Sequence, residues 1–98
     1  MKELAKVFKA LSDETKLQIY KIVVENPDIC VCEIMSSLKM SQTRVSRNLG
    51  ILKNAGLVEA RREGFWMHYT VGKENKYNTI VKNIVAGKVK RKPSMKCK

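Results

Sequence analysis

"SQTRVSRNLGILKNAG", residues 41–56, runs straight into "LVEARREGFWMHYTV", residues 57–71, and the change of period between them decides the fold. In the first stretch Val45, Leu49 and Leu52 recur at i, i+4 and i+7, so one face of a helix is apolar. Ser41 stands where an N-cap belongs, and Asn54-Ala55-Gly56 supplies a stop, with Gly56 suited to a left-handed C-terminal position. The second stretch alternates and is rich in β-branched and aromatic residues, with Arg62-Glu63-Gly64 at its centre. That pattern predicts a two-stranded hairpin with a basic tip.

Upstream, "KMS" at 39–41 makes a tight turn after a short helix carrying Ile34 and Leu38, for which Asp28 is the expected cap. Pro27 closes the preceding helix, which starts at Ser12 or Asp13 and shows a stripe of Leu17, Tyr20 and Val24. Leu4, Val7, Phe8 and Leu11 predict a first amphipathic helix over about residues 2–10. After the hairpin the helical period returns from Lys73, with Tyr77, Ile80, Val81, Ile84 and Val85 on one face. The expected architecture is one domain over residues 1–87, mainly α with a β-hairpin, in the order α-α-α-α-β-β-α. Residues 88–98 read as a basic flexible tail.

The 98 residues carry a net charge of +11, unevenly placed. Residues 1–49 hold eight Lys/Arg against six Asp/Glu, whereas residues 50–98 hold twelve against three. An excess this large on a small domain favours a polyanion, most often nucleic acid. No apolar run approaches the ~18 residues of a membrane span, and "MKELAKVFKA" is too charged for a signal peptide. A cytoplasmic location is expected, where thiols stay reduced.

Two short helices around a three-residue turn, followed by a basic hairpin, describe a winged helix-turn-helix. On its second helix Gln42, Thr43, Ser46 and Arg47 can reach base edges or phosphates from the N-terminal turn that Ser41 opens. Arg44 at the flank can reach the backbone, and Gly50 leaves room for close approach. Arg61 and Arg62 on the wing would meet phosphates or a minor groove. The alternative is a polar, solvent-facing helix in an ordinary small bundle.

Cys30 and Cys32 in "ICVCEIM", residues 29–35, pose a separate question. In an ideal helix positions i and i+2 point about 200° apart and cannot share a ligand. In an extended or frayed first turn they can. Thiolates select soft ions such as Cu(I), Cd, Pb, Hg or trivalent arsenic and antimony. A structural zinc ion wants four ligands, and the chain holds only three cysteines and one histidine, His68, which reads as a polar cross-strand or phosphate-contacting residue rather than a ligand.

"ALSDETKLQIY", "MSQTRVSRNLGILKNAGLVEARREG" and "WMHYTV" resemble the ArsR/SmtB family of metal-responsive repressors, from about Val7 to Val71. The resemblance implies a homodimer assembled through the first and last helices, bound to double-stranded palindromic operator DNA and released by an effector. The residues themselves offer Val81, Ile84 and Val85 as a face for a partner or for packing within one chain. The family's last-helix zinc sites use paired His and acidic residues, and "KENKYNTIVKNIVAGK" lacks His and Asp. The arsenic-responsive members are more similar, with a motif like "E-L-C-V-C-D-L-C" where this chain has "D-I-C-V-C-E-I-M". Met35 stands in place of the last cysteine. Trivalent arsenic normally takes three thiolates, so either Cys30 and Cys32 suffice or a third sulfur comes from elsewhere, with Cys97 of the tail as the expected donor and the Met35 thioether as a weaker substitute.

The expected function is a repressor released by As(III) or Sb(III), with no resident cofactor. A Cd(II)-, Pb(II)- or thiol-redox-responsive repressor of the same fold, or a constitutive DNA-binding protein, remains open. An enzyme is not expected, because the chain shows no nucleophile with a base and orienter, and no Gly-rich phosphate loop. A thiol-redox or soft-metal carrier would explain the cysteines but not residues 41–56.

Overall fold

The computed structural model describes residues 1–73 and 76–86. Its elements are α1 (Lys2–Ala10), α2 (Glu14–Glu25), β1 (Ile29–Cys30), α3 (Val31–Leu38), α4 (Gln42–Asn54), β2 (Val58–Glu63), β3 (Trp66–Val71) and α5 (Lys76–Ala86). The four helices before the hairpin and the one after it stand where the periodicity predicts them. Among the described residues no helix is long and apolar enough to cross a membrane.

Caps explain where the helices begin. Asp13 is extended and its carboxylate accepts from the Lys16 amide at 3.2 Å, and Ser41 does the same for Arg44 at 3.2 Å. Each satisfies one of the amides that a helix start leaves without a partner. The third helix differs from expectation. Asp28 is not its cap but lies in a left-handed turn, φ 62°, and Cys30 takes the N-cap position. The Glu33 carboxylate accepts from the Cys30 amide at 3.0 Å, which closes a capping box with cysteine in the place Ser or Thr usually holds.

The reason Asp28 is displaced is β1. Ile29 and Cys30 pair antiparallel with Tyr69 and His68 of β3, so the sheet has three strands in the order β1-β3-β2 rather than the two expected. β2 and β3 form the hairpin, from Val58↔Val71 to Glu63↔Trp66. That register leaves Gly64 and Phe65 as a two-residue turn, in which Gly64 has φ 65°. Glycine enters that region without the steric penalty a Cβ would bring.

The core gathers Ile19, Tyr20 and Val23 of α2, Ile34 of α3, Val45, Leu49 and Leu52 of α4, and Leu57 and Val58 at the start of the wing. Each such side chain contributes roughly 1.5–3 kcal/mol by leaving water. The buried stripe of α2 is therefore Ile19, Tyr20 and Val23, while Leu17 is 39% exposed and Val24 only partly covered. α2 packs on both α4 and α5, which sets its inward face one residue away from the expected stripe. α5 also divides its apolar residues: Val81 is buried and Val85 packs on the core, but Ile80 and Ile84 are exposed. The base of the wing is tied to α5 by buried Asn78, whose Nδ2 donates to the Gly56 and Lys73 carbonyls at 2.9 and 2.8 Å. Residues 88–98, with Cys97, lie outside the described residues.

Candidate nucleic-acid interface and thiolate site

The turn between α3 and α4 is sharp because Lys39 is left-handed, φ 55°, and the Met40 amide returns to the Met35 carbonyl at 3.1 Å. It delivers α4 with Val45, Leu49 and Leu52 buried and with Ser41, Gln42, Thr43, Arg44, Ser46 and Arg47 all exposed at its first turns. Among the described residues no carboxylate pairs with Arg44, Arg47 or Arg62. A Cβ built at Gly50 would have open space around it. The set of six thus forms one polar, cation-bearing surface at the start of α4.

Arg61 is placed differently from the other arginines. Its guanidinium contacts the Asp28 carboxylate through Nη2 and the Glu63 carboxylate through Nη1, the latter at 2.9 Å. The hydrogen bond to Asp28, then that to Glu63, holds Arg61 above the ordinary guanidinium range. His68 joins this group, donating from Nδ1 to the Asp28 carbonyl at 3.0 Å with Nε2 3.8 Å from Glu63. Asp28, Glu63 and His68 bring three ligand-type atoms within 4.8 Å of one another, and the guanidinium already supplies a cation to the two carboxylates. Sequence reasoning missed Asp28 and Glu63 here, since 33 residues separate Asp28 from Arg61 and no local pattern joins them.

The two cysteines meet at the start of α3. Cys30 is buried and extended, φ −78° and ψ 143°, whereas Cys32 is half-buried inside the first turn. Because only one of them is helical, the 200° separation does not apply, and their sulfurs lie 3.0 Å apart. Once both are reduced to thiolates, two sulfurs this close can share one soft ion. The Met35 side chain packs against the hydrophobic core.

The α3–turn–α4 pair, with a hairpin wing after it, makes this a winged helix-turn-helix domain of the kind found in transcriptional regulators. Residues 13–60 match the family described as bacterial regulatory protein, arsR family. An uncharacterised HTH-type transcriptional regulator of Methanocaldococcus jannaschii is 48% identical over 67 residues, 68% of this chain and 75% of that protein. The arsenical resistance operon repressor of Escherichia coli is 41% identical over 63 residues, 64% of this chain but only 54% of the repressor. The homodimeric winged helix-turn-helix DNA-binding domain from Mycobacterium bovis superimposes with a TM-score of 0.71 at 34% identity, covering 87% of this chain and 73% of that one. The chain belongs to the ArsR family.

Proposed function

We propose that this protein is an operator-binding repressor, acting as a dimer, that releases DNA when As(III) or Sb(III) is captured by Cys30 and Cys32, with Cys97 as the third thiolate. The observation that carries the reading is the 3.0 Å approach of the two sulfurs at the start of α3, one helix before the exposed polar surface of α4. The likeness to the arsenical resistance repressor supports the choice of ion, although the aligned stretch is little more than half of that protein.

In this reading α4 lies in a major groove, where Gln42, Thr43, Ser46 and Arg47 meet base edges while Ser41 and Arg44 meet backbone. Arg62 and Arg61 on the wing meet phosphates. Capture of As(OH)3 replaces each As–OH by As–S, and each thiol proton leaves with a hydroxide as water. Cys30 holds the N-cap of α3, so a chelate there pulls on the helix that seats α4. Coupling of ~1–3 kcal/mol is enough to loosen operator binding five- to about 150-fold.

A gel shift with DNA upstream of the protein's own operon, titrated with arsenite, antimonite and Cd(II), tests this. Arsenite should release the DNA, and Cys30→Ser or Cys32→Ser should bind DNA but no longer respond. Release by a persulfide or peroxide but by no ion would replace the metalloid reading with a redox one. Salt-sensitive binding without sequence preference would instead indicate a constitutive DNA-binding protein. Cys97→Ser should lower arsenite sensitivity; unchanged sensitivity would leave a two-thiolate site.

A further inference from the structure

Three residues from three strands stand in one row of the sheet. Cys30 of β1 pairs with His68 of β3, and His68 pairs with Arg61 of β2. Directly paired residues on neighbouring strands are cross-strand partners, so the row leads from a buried thiol, through a half-buried imidazole, to an exposed guanidinium. The turn just before Cys30 reaches the same place by a second route. Asp28 carries the carboxylate on Arg61, and its carbonyl accepts from His68 at 3.0 Å. Asp28 itself has a left-handed backbone, φ 62°.

We propose that Asp28 is a positioning residue that couples the thiolate pair to the wing, holding Arg61 and the β2–β3 hairpin in register with the start of α3. Seating an ion between Cys30 and Cys32, whose sulfurs are only 3.0 Å apart, spreads them and displaces the 28–30 turn, and the wing moves with it through Arg61. The wing is then a second output of the site beside the recognition helix. This rests on the reading of Cys30 and Cys32 as a ligand pair, but not on which ion is the natural effector.

The test uses Trp66, the chain's one tryptophan, which sits in β3 beside the wing turn and pairs with Glu63. Phenylarsine oxide serves as the probe, because it takes two thiols with loss of one water and needs no third sulfur. One equivalent added to the full-length protein, its thiols first reduced, should change Trp66 emission by tens of per cent. In Asp28→Asn the reagent should still bind one to one, scored by loss of titratable thiols, but the emission change should fall to less than half. Asparagine accepts a left-handed φ at least as well as aspartate, so this substitution removes the charge and spares the turn. Arg61→Gln, which leaves the turn itself untouched, should reproduce the loss. Glu63→Gln, which weakens the contacts of Arg61 and His68 within the wing but leaves Asp28 on Arg61, should keep most of the response.

An unchanged emission response in Asp28→Asn, or none in the wild-type chain despite full labelling, would overturn the proposal. A gel shift run in parallel separates it from the effector assignment. Where arsenite releases operator DNA from the wild-type chain, Asp28→Asn should lose at least three-fold in the ratio of affinities with and without arsenite. If arsenite has no effect on DNA while phenylarsine oxide still moves Trp66 through Asp28, the metalloid reading fails and the coupling stands.

Discussion

Tyr20 is 1% exposed on α2, and burial pushes its phenol up to about 12 from an ordinary 10.0. The native state therefore favours the protonated form. The stabilisation is complete below pH 10 and disappears as the pH rises through the native value, a loss of up to ~3 kcal/mol. Tyr20→Phe cannot ionise, so its urea midpoint should fall less between pH 8 and pH 11 than that of the wild-type chain. An equal fall in both would place the alkaline loss elsewhere. Single residues also show where local reading has a limit. Asp28 is a good N-cap by type and by distance from α3, yet it caps nothing, because β3 recruits Ile29 and Cys30 into the sheet and shifts the cap two residues on. Cys30 and Cys32, read from the sequence as able to meet only outside a regular helix, do have one partner outside it.

On the scale of one element, α4 and the wing make opposite demands on glycine. Gly50 lies inside α4 with open space where a Cβ would go, so Gly50→Ala should stabilise the domain by roughly 0.5–1 kcal/mol, seen as a rise of a few degrees in Tm. If α4 enters a groove as proposed, the same methyl group should weaken operator binding in a gel shift. Gly72, at the exit of β3, is crowded instead. A Cβ there would lie 2.3 Å from the Gly56 carbonyl oxygen, which also accepts from Asn78. Gly72→Ala must move backbone, and should lower Tm where Gly50→Ala raises it. The helices, their caps at Asp13 and Ser41, and the hairpin were legible because each depends on residues within a few positions. β1 was not, since two residues carry no period.

For the whole molecule, the informative feature is apolar surface on the first and last helices. Phe8 is 61% exposed, Ile80 58% and Ile84 72%, while Val7, Ala10 and Val81 on the same helices are buried. Each helix thus satisfies its own core and keeps a second apolar side, which the proposed dimer would cover. Ile84→Glu should leave the helical circular dichroism unchanged, because the side chain is outside the core. In sedimentation velocity it should halve the mass, and operator affinity should fall with it. A wild-type chain that sediments as a monomer at micromolar concentration would refute the dimer.

The division between chain and fold follows from range. Periodicity, caps and the charge excess of residues 50–98 are properties of neighbouring residues, and they determined a basic winged helix-turn-helix with two cysteines at the start of its third helix. Only tertiary pairing decided that Cys30 stays extended beside Cys32, that α5 divides its apolar residues between core and surface, and that Arg61 is held by Asp28. Those contacts join strands and helices far apart in the chain, and which partners meet depends on how the whole core packs.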